Sequence, residues 1–204
     1  MYLDLTNTNE KINIYSQLVG GITPRPIAWV STVSGDGVSN IAPYSFFTVA
    51  SVNPPVLSVT QVNPRDNKSK DTLSNLMDSK ECVVNIVSEH QVEQMNQSCA
   101  NYPPSVSEFD AANIESVASH NVKALSVKSA KVRYECTLRD VLTISKQPSG
   151  GQIMLLDVVG VYIDDSILTN GNIDQDGLST IGKMGGDYYT KTTDLFSLKR
   201  PLIK

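Results

Sequence analysis

Hydroxyl groups, a positive charge and a predicted helix start occur together in two stretches of the chain, residues 31–45 and 70–72. This combination suits a phosphate group. Asp71 is a favourable residue at the start of a helix, and the first turn of a helix leaves backbone N–H groups free to bind an anion. The hydroxyl-bearing and cationic candidates near it and upstream are Ser31, Thr32, Ser45, Lys70 and Thr72. Each is ordinary by itself, and only their joint occurrence indicates an anion site.

Aromatic residues and a proline surround Ser45 and would suit a flat ring. Tyr44, Phe46 and Phe47 can stack on an aromatic ligand, and Pro43 fixes the chain without offering an N–H group. The alternative is that the aromatic side chains belong to the core, and we favour this for Phe47. The stretch from residue 25 to residue 47 therefore predicts a sheet edge that holds a flat, phosphorylated ligand.

The composition favours small molecules or another protein as partners. The 204 residues are 40% hydrophobic and 19% charged, and the net charge of -4 argues against a nucleic-acid or anionic-membrane surface. No run approaches the roughly 18 apolar residues of a membrane span. The first residues contain neither a basic leader nor an apolar signal segment, so we expect a cytoplasmic protein.

The common catalytic and metal-binding patterns are missing from the sequence. Cys82, Cys99 and Cys136 are widely spaced and lack a Cys-x-x-Cys pair, which predicts reduced, mostly buried thiols rather than a disulfide or zinc site. His90 and His120 lie in polar contexts and are predicted at the surface. A hydrolase with a histidine base is therefore disfavoured, and no metal is expected.

The elements that must position the candidates are mainly strands. Their segments are rich in β-branched residues and bounded by Gly, Pro or Asn. The predicted strands are Thr23–Val33, Asn40–Ala42, Pro55–Thr60, Glu81–Val87, Ala130–Ile144 and Gln152–Ile163. The last two would form a hairpin across the turn at residues 147–151, and helical spacing predicts helices at Asp71–Met77 and His90–Cys99.

The predicted strands outnumber the helices and do not alternate with them as in βαβ units. This pattern predicts a mainly β fold with helices, built as a small antiparallel barrel. We expect a single domain over residues 1–204. Residues 1–20 would be an N-terminal extension, and residues 169–204 an irregular C-terminal tail that is functional or disordered.

The order of motifs strongly resembles the flavin reductase-like family of FMN-binding split barrels. The stretches that carry the resemblance are RPIAWVST, SNIAPYSFF, NPP, SKDTLSNL, ECVVNIVSEHQVEQMNQS, VSEFDAANI, AKVRYECTL, IMLLDVVGVYIDDSIL and IGKMGGDYYTKTTDLFSLKRP. The resemblance implies an FMN-binding split β-barrel and a homodimer with each FMN near the subunit interface. It also implies that NAD(P)H meets the flavin only transiently.

The resemblance also implies roles for individual residues. Ser31 and Thr32 would lie along the flavin site. The segment that would run past the flavin ring contains Asn40, Ala42, Pro43, Tyr44, Ser45, Phe46 and Phe47. The residues that would approach the ribityl chain and the phosphate are Thr60, Lys70, Asp71 and Thr72. Arg65 is an alternative to Lys70 as the phosphate ligand.

The C-terminal motif resembles a segment that closes the site from the same chain or from the partner. Lys183, Gly185 and Tyr188 would contribute to it. Lys183 stands where an arginine is commoner in the family, so its contact with a phosphate would be a point charge rather than a bidentate grip. This difference favours an exchangeable FMN.

The implied activity is an oxidoreductase that takes a hydride from NAD(P)H onto flavin. The electrons would pass to a flavin-dependent partner such as a monooxygenase, or to a small acceptor. The alternative is an FMN-binding electron carrier in the manner of a flavoredoxin, with little NAD(P)H reductase activity. Because the flavin supplies the difficult chemistry in both cases, no side chain is expected to act as a catalytic acid or base.

Overall fold

The computed structural model describes residues 2–6, 14–64 and 70–203. The strands, in chain order, are β1 (Ala28–Val33), β2 (Ser39–Tyr44), β3 (Phe47–Val52), β4 (Pro55–Val62), β5 (Glu81–Ile86), β6 (Ser116–Val117), β7 (Ser126–Val127), β8 (Val132–Thr143), β9 (Gly151–Ile163), β10 (Leu168–Thr169), β11 (Asn172–Ile173), β12 (Ile181–Lys183) and β13 (Tyr189–Lys191). The helices are α1 (Ile14–Gly21), α2 (Asp71–Ser79), α3 (Val92–Gln97), α4 (Glu108–Ala111) and α5 (Gln175–Leu178).

Seven strands form one antiparallel sheet in the order β2-β1-β5-β8-β9-β4-β3. Strands β2 and β3 are consecutive in the chain but lie at opposite edges of this sheet. Only Ser45 and Phe46 separate them, so the two edges must approach each other and the sheet curves into a split barrel. The N–H group of Thr60 in β4 donates to the Phe46 carbonyl oxygen at 2.8 Å, which ties this corner to β4. The predicted mainly β barrel is confirmed.

The core lies on both sides of β1. Ala28 and Val30 face the barrel interior, where Leu76 of helix α2 packs with them. Trp29 faces the other way and packs with Met95 of helix α3 in a second cluster. Alternate residues of a strand point to opposite faces, so β1 is buried on both sides, and its sequence is apolar apart from Ser31 and Thr32. Trp29 is fully buried and anchors this second cluster.

Helix α2 follows the predicted pattern and extends slightly beyond it. Leu73 and Leu76, three residues apart, are buried on one face, whereas Met77 is exposed. The helix ends at Lys80, which adopts a left-handed conformation with φ of 62° and donates its N–H to the Leu76 carbonyl at 3.0 Å. At the other end of the helix, Lys70, the residue before its first turn, lines the cleft described below.

Several predicted boundaries differ from the structure for identifiable reasons. The first strand begins at Ala28 rather than at residue 23, because Pro24 and Pro26 have no N–H group for a strand ladder. The predicted helix at residues 90–99 is a 3-10 turn, Glu89–Gln91, followed by α3. The long hairpin of β8 and β9 is confirmed to within two residues at each end.

Strand β3 and helix α1 were not predicted. Most of β3 is exposed because it lies at a sheet edge, so its sequence does not alternate between apolar and polar residues. Helix α1 buries only Val19 among its residues, is just two turns long and ends in two glycines, which are poor helix formers. The region after Thr169 also contains more structure than predicted, because short strand pairs and α5 extend to Lys191. Residues 192–203 have neither helix nor strand.

The cysteine and histidine predictions are confirmed in most respects. Cys82 and Cys136 are buried free thiols on neighbouring positions of β5 and β8, whereas Cys99 is exposed. His90 and His120 are exposed, as predicted. The described residues contain no group of His, Cys, Asp or Glu side chains that could hold a metal ion. Among the described helices, none has the length and apolar character that a membrane crossing requires.

Candidate functional site

An open cleft of about 420 Å³ lies at the corner where the barrel edges meet. Its described lining residues are Tyr15, Pro43, Tyr44, Ser45, Phe46, Thr60, Val62, Asn63, Pro64, Lys70 and Ser149. They come from α1, the corner between β2 and β3, β4 with the residues after it, the start of α2 and the loop between β8 and β9. The volume falls within the range of about 300–1,000 Å³ that is typical of small-molecule sites.

The cleft combines an aromatic wall with a positive charge. Pro43, Tyr44 and Phe46 form the wall, and the Lys70 ammonium lies 5.9 Å from the centre of the Tyr44 ring. Lys70 is also the residue before helix α2, and among the described residues no side chain caps this helix start. The N–H groups of the first turn are therefore available to an anion beside Lys70.

Tyr44 is fixed at the base of the aromatic wall. Its hydroxyl group donates to Gln61 Oε1 at 3.3 Å, and the side chain is almost completely buried. Burial raises the pKa of Tyr44 well above its ordinary value of 10.0, so its hydroxyl remains protonated at neutral pH. Tyr44 therefore contributes a neutral ring to the cleft.

Asn63 holds the opposite wall of the cleft in place. Its Nδ2 donates to the carbonyl oxygens of Ser145 at 2.9 Å and Gln147 at 3.0 Å. Its Oδ1 accepts a hydrogen bond from Gln152 Nε2 at 2.7 Å, and its carbonyl oxygen accepts one from the Ser149 N–H at 3.0 Å. These bonds attach the loop between β8 and β9 to the end of β4, so the position of Ser149 at the cleft is fixed.

Beneath the cleft, a buried polar network joins β1, β2 and α2. Thr72 Oγ1 donates to Asn40 Oδ1 at 2.9 Å, and Thr32 Oγ1 donates to the same oxygen at 3.3 Å. Asn75 Nδ2 donates to Thr32 Oγ1 at 3.2 Å. These predicted site residues therefore direct their side chains into the barrel, where they connect the first turns of α2 to the strands.

Glu108 extends this network from helix α4. Asn40 Nδ2 lies 3.0 Å from both carboxylate oxygens, and the Ile41 N–H donates to one of them at 3.0 Å. Burial raises the pKa of Glu108 above its ordinary value, despite the opposing effect of these hydrogen bonds, and the nearby charge of Asp71 acts in the same direction as burial. Glu108 was not predicted as a site residue, since its partner Asn40 lies 68 positions away.

Arg25 connects the cleft rim to two other parts of the chain. Its Nη1 donates to the carbonyl oxygens of Val19 at 2.5 Å and Ile22 at 2.8 Å, at the end of α1. Its Nη2 donates to the Met184 carbonyl at 3.0 Å, and its Nε donates to Ser45 Oγ at 3.3 Å. Arg25 begins the motif that opens the candidate region, but nothing in the sequence indicated these partners.

The loop between β12 and β13 lies next to this rim. Lys183 Nζ donates to the carbonyl oxygens of Gly186 and Tyr188, and it lies 4.4 Å from the centre of the Tyr189 ring. Burial lowers the pKa of Lys183 from its ordinary value. A Cβ atom on Gly185 would lie 3.3 Å from Gly20 Cα, so this glycine permits close packing against the end of α1. Tyr188 is 77% exposed.

The structure places most of the predicted residues at the cleft, in the network beneath it or against the barrel core. Those that line the cleft are Pro43, Tyr44, Ser45, Phe46, Thr60 and Lys70. Thr32, Asn40 and Thr72 lie in the network beneath it, with Asp71 half-buried at the helix start. Ala42 and Phe47 pack partly buried against the barrel core.

The remaining predicted residues lie away from the cleft. Ser31 points to the other face of β1, where its hydroxyl donates to the Leu125 carbonyl. Lys183 ends β12, and Gly185 and Tyr188 lie in the loop that follows, which Arg25 joins to the rim; none of the three is among the described residues that line the cleft. Arg65 falls outside the described residues.

The fold recurs in known structures of low sequence identity. A flavin reductase with a split barrel domain from Shewanella frigidimarina has a TM-score of 0.83 at 22% identity, covering 98% of this chain and 100% of its own. Flavoredoxin of Desulfovibrio vulgaris has a TM-score of 0.74 at 16% identity, covering 97% of each chain. At this level of identity, the likeness shows the split-barrel fold alone.

Closer relatives cover nearly the whole chain. Nitrilotriacetate monooxygenase component B from Bacillus cereus is 33% identical with a TM-score of 0.89, over 97% of this chain and 99% of its own. The 2-nitrobenzoate 2-nitroreductase of Pseudomonas fluorescens is 25% identical with a TM-score of 0.87, over 98% of this chain and 96% of its own. An uncharacterized protein of Aquifex aeolicus is 40% identical over 91% of this chain and 93% of its own.

The family described as flavin reductase like domain matches residues 20–178, which include the described strands of the barrel and most of the residues lining the cleft. This match agrees with the resemblance carried by the sequence motifs. The chain belongs to the flavin reductase-like family.

Proposed function

We propose that the protein is an NAD(P)H-dependent flavin oxidoreductase that uses FMN and passes electrons to a flavin-dependent partner or to a small acceptor. The observation that carries this proposal is the cleft at the barrel corner, where an aromatic wall adjoins Lys70 and the uncapped start of α2. The names of two relatives support these two kinds of electron acceptor. One relative is a monooxygenase component, which supports a flavin-dependent partner, and the other is a nitroreductase, which supports a small acceptor.

The residues of the cleft fit the parts of FMN. Lys70 and the first N–H groups of α2 would hold the phosphate, and Tyr44 and Phe46 would lie against the ring system. Ser45 Oγ accepts its hydrogen bond from Arg25, so its own proton can be donated to a polar atom of the ligand. Thr60 on β4 would approach the ribityl chain of FMN, which joins the ring to the phosphate.

FMN is proposed rather than FAD because of the charge pattern of the cleft. Within the described lining, Lys70 is the cationic side chain, and it stands beside a helix start that supplies further donors. This arrangement matches one terminal phosphate monoester better than an internal diphosphate that continues into a second nucleotide. The open shape of the cleft leaves room for a hydride donor to reach the exposed side of the ring.

A bound flavin supplies the redox chemistry by accepting a hydride and passing electrons onward. The chain would bind it, orient the ring and shield one face. The aromatic wall provides an apolar surface that excludes water, and the neutral Tyr44 adds no charge beside the ring. No side chain of the cleft needs to act as an acid or base for hydride transfer.

The homodimer expected for this function is also a proposal. Supporting it, the C-terminal segment exposes large apolar side chains, among them Phe196 and Leu198, each 85% exposed. Such a segment is typical of a surface that another chain covers. We further propose that residues 1–204 act as one domain, and that the protein acts in the cytoplasm, where its proposed hydride donor is available.

Titration with flavins followed by NAD(P)H tests the proposal directly. The purified chain would be titrated with FMN, FAD and riboflavin while flavin fluorescence is recorded. The FMN-loaded protein would then be mixed with NADH and NADPH under anaerobic conditions in a stopped-flow instrument. We expect FMN to bind more tightly than FAD or riboflavin. After mixing with NADH or NADPH, the absorbance of the oxidised flavin should disappear rapidly, on the time scale of the stopped-flow measurement.

The outcomes separate the competing functions. Rapid bleaching supports the reductase and argues against an electron carrier. FMN binding without bleaching by either nucleotide would favour the flavoredoxin-like carrier. Failure to bind FMN at micromolar concentrations would reject both functions.

A further inference from the structure

Glu108 is a buried carboxylate to which the proposed hydride transfer gives no role. The residue is only 7% exposed, and no ion pair of Glu108 occurs among the described residues. A buried carboxylate is costly unless hydrogen bonds compensate for its lost hydration. Here the compensation comes from two neighbouring residues of β2, the side chain of Asn40 and the N–H group of Ile41.

The carboxylate determines how the Asn40 side chain is oriented. An ionised carboxylate can only accept hydrogen bonds, so the Nδ2 group of Asn40 must face Glu108. The opposite end of the amide, Oδ1, must then face α2, where it accepts the hydroxyl hydrogen of Thr72 at 2.9 Å. A line of directed hydrogen bonds therefore runs from α4 through β2 to the first turn of α2.

Thr72 lies immediately after the two residues that would meet a phosphate, Lys70 and Asp71. Its side chain is buried, and its hydroxyl group is engaged by Asn40 rather than by the cleft. The free N–H groups of this first turn point along the helix axis, so the position of Thr72 in the turn determines where they point. Any shift of the turn would displace the donors from a bound phosphate.

We propose that Glu108 is a positioning residue that acts through Asn40 and Thr72 to hold the first turn of α2 in its phosphate-binding position. Glu108 thereby sets the preference of the site for a phosphorylated flavin over riboflavin. This inference rests on the proposed function. It adds a residue that lies outside the described lining of the cleft and would touch neither ring nor phosphate.

The substitution Glu108→Gln tests this role with little change in shape. One end of the glutamine amide is a donor, so it must face either Asn40 Nδ2 or the Ile41 N–H, both of which are donors themselves. We expect the dissociation constant for FMN to rise by about tenfold or more, as when one charge-assisted hydrogen bond is lost. The dissociation constant for riboflavin, which has no phosphate, should change by less than about twofold.

Glu115→Gln is the matched control, because Glu115 is an exposed glutamate further along the same segment, paired with Lys128 at 2.9 Å. It should leave both flavin affinities unchanged. Equal losses of FMN and riboflavin affinity in Glu108→Gln would overturn the positioning role and indicate general loosening of the fold. A wild-type protein that binds no flavin would overturn the proposed function itself.

Thr72→Val supplies a second test that does not depend on the folding of the Glu108 variant. Valine keeps the shape of threonine but cannot donate to Asn40, so it should cause the same selective loss of FMN affinity. In the double variant, the two losses should not add, because both changes break one line of hydrogen bonds. Full additivity, or an unchanged ratio of FMN to riboflavin affinity in Thr72→Val, would contradict the proposal.

Discussion

Arg25 and Lys183 form an isolated antiparallel bridge, in which each backbone N–H donates to the other's carbonyl oxygen, at 2.9 and 2.8 Å. This bridge brings the loop after β12 to the segment that leads into β1. The side chain of Arg25 then reaches Ser45 at the cleft rim, as well as the last turn of α1. One buried guanidinium group therefore links three segments that are distant in sequence.

Replacing Arg25 with lysine should destabilise the protein and weaken flavin binding. An ammonium group cannot reproduce the planar set of donors that bonds Val19, Ile22, Met184 and Ser45 at once. We expect a loss of roughly 2 kcal/mol in the free energy of unfolding, as for a buried hydrogen bond to a charged group. Urea titration followed by fluorescence of the single tryptophan would measure it.

The exposed Arg200 offers a matched control for this substitution. Arg200→Lys should change the free energy of unfolding by less than about 0.5 kcal/mol, as surface substitutions usually do. If Arg25→Lys behaves like this control, the hydrogen bonds of Arg25 do not hold the rim together.

Replacing Lys70 with methionine should weaken FMN binding while riboflavin binding persists. Methionine keeps the length of the side chain but removes the charge that would face the phosphate. The loss should be about tenfold or more, and the salt dependence of FMN binding should become shallower. Fluorescence titrations at low and high salt would show both effects. Lys128→Met serves as the control, and an unchanged FMN affinity in Lys70→Met would place the phosphate elsewhere.

The strands of the barrel were predictable because their residues carry local signals. The hairpin of β8 and β9 is a pair of long β-branched runs around a glycine-rich turn, and Trp29 alternates with apolar neighbours in β1. Strand β3 gives no such signal, because at a sheet edge most of its residues face solvent. Its place in the sheet is set by closure of the barrel rather than by its own composition.

The candidate site was predictable in about half of its lining residues but not in the residues that support them. Tyr44, Phe46 and Lys70 stand out by type and by order along the chain, and the structure brings them together. Glu108 and Arg25 act through partners 68 and 159 positions away, and no local pattern reveals a hydrogen bond over such a separation. Ser31 is the opposite case, a residue that was predicted in the site but lies outside it. Its hydroxyl group suits a ligand, but its position in the strand directs it away from the cleft.

The proposed homodimer should be weakened in a chain that ends at Thr192, while the subunit stays folded. The truncation removes exposed apolar residues, and each buried side chain of this kind contributes about 1.5–3 kcal/mol when a partner covers it. We expect the dimer dissociation constant to rise more than about tenfold in sedimentation velocity experiments. Val106→Ser, an exposed apolar position before α4, should leave dimerisation unchanged. An equally stable dimer without the segment would exclude it from the interface.

The stability of the protein should fall in acid partly because of Glu135. Burial would raise the pKa of this carboxyl group. However, hydrogen bonds from the backbone N–H groups of His120 and Asn121, both at 2.7 Å, and from Asn121 Nδ2 at 3.0 Å outweigh burial and hold the pKa below its ordinary value of 4.5. Between the folded and unfolded pKa values, the unfolded chain binds more protons, so stability rises with pH in that window.

Glu135→Gln should therefore lower the free energy of unfolding by roughly 2 kcal/mol at pH 7, because glutamine cannot accept all three hydrogen bonds. The deficit should be constant above the ordinary pKa of 4.5 and should shrink as the pH falls through the lowered pKa of the folded protein. Urea titrations between pH 3 and pH 7 would follow it, with Glu115→Gln as the exposed control. A deficit that stays constant down to pH 3 would show that the charge of Glu135 does not contribute to the acid dependence.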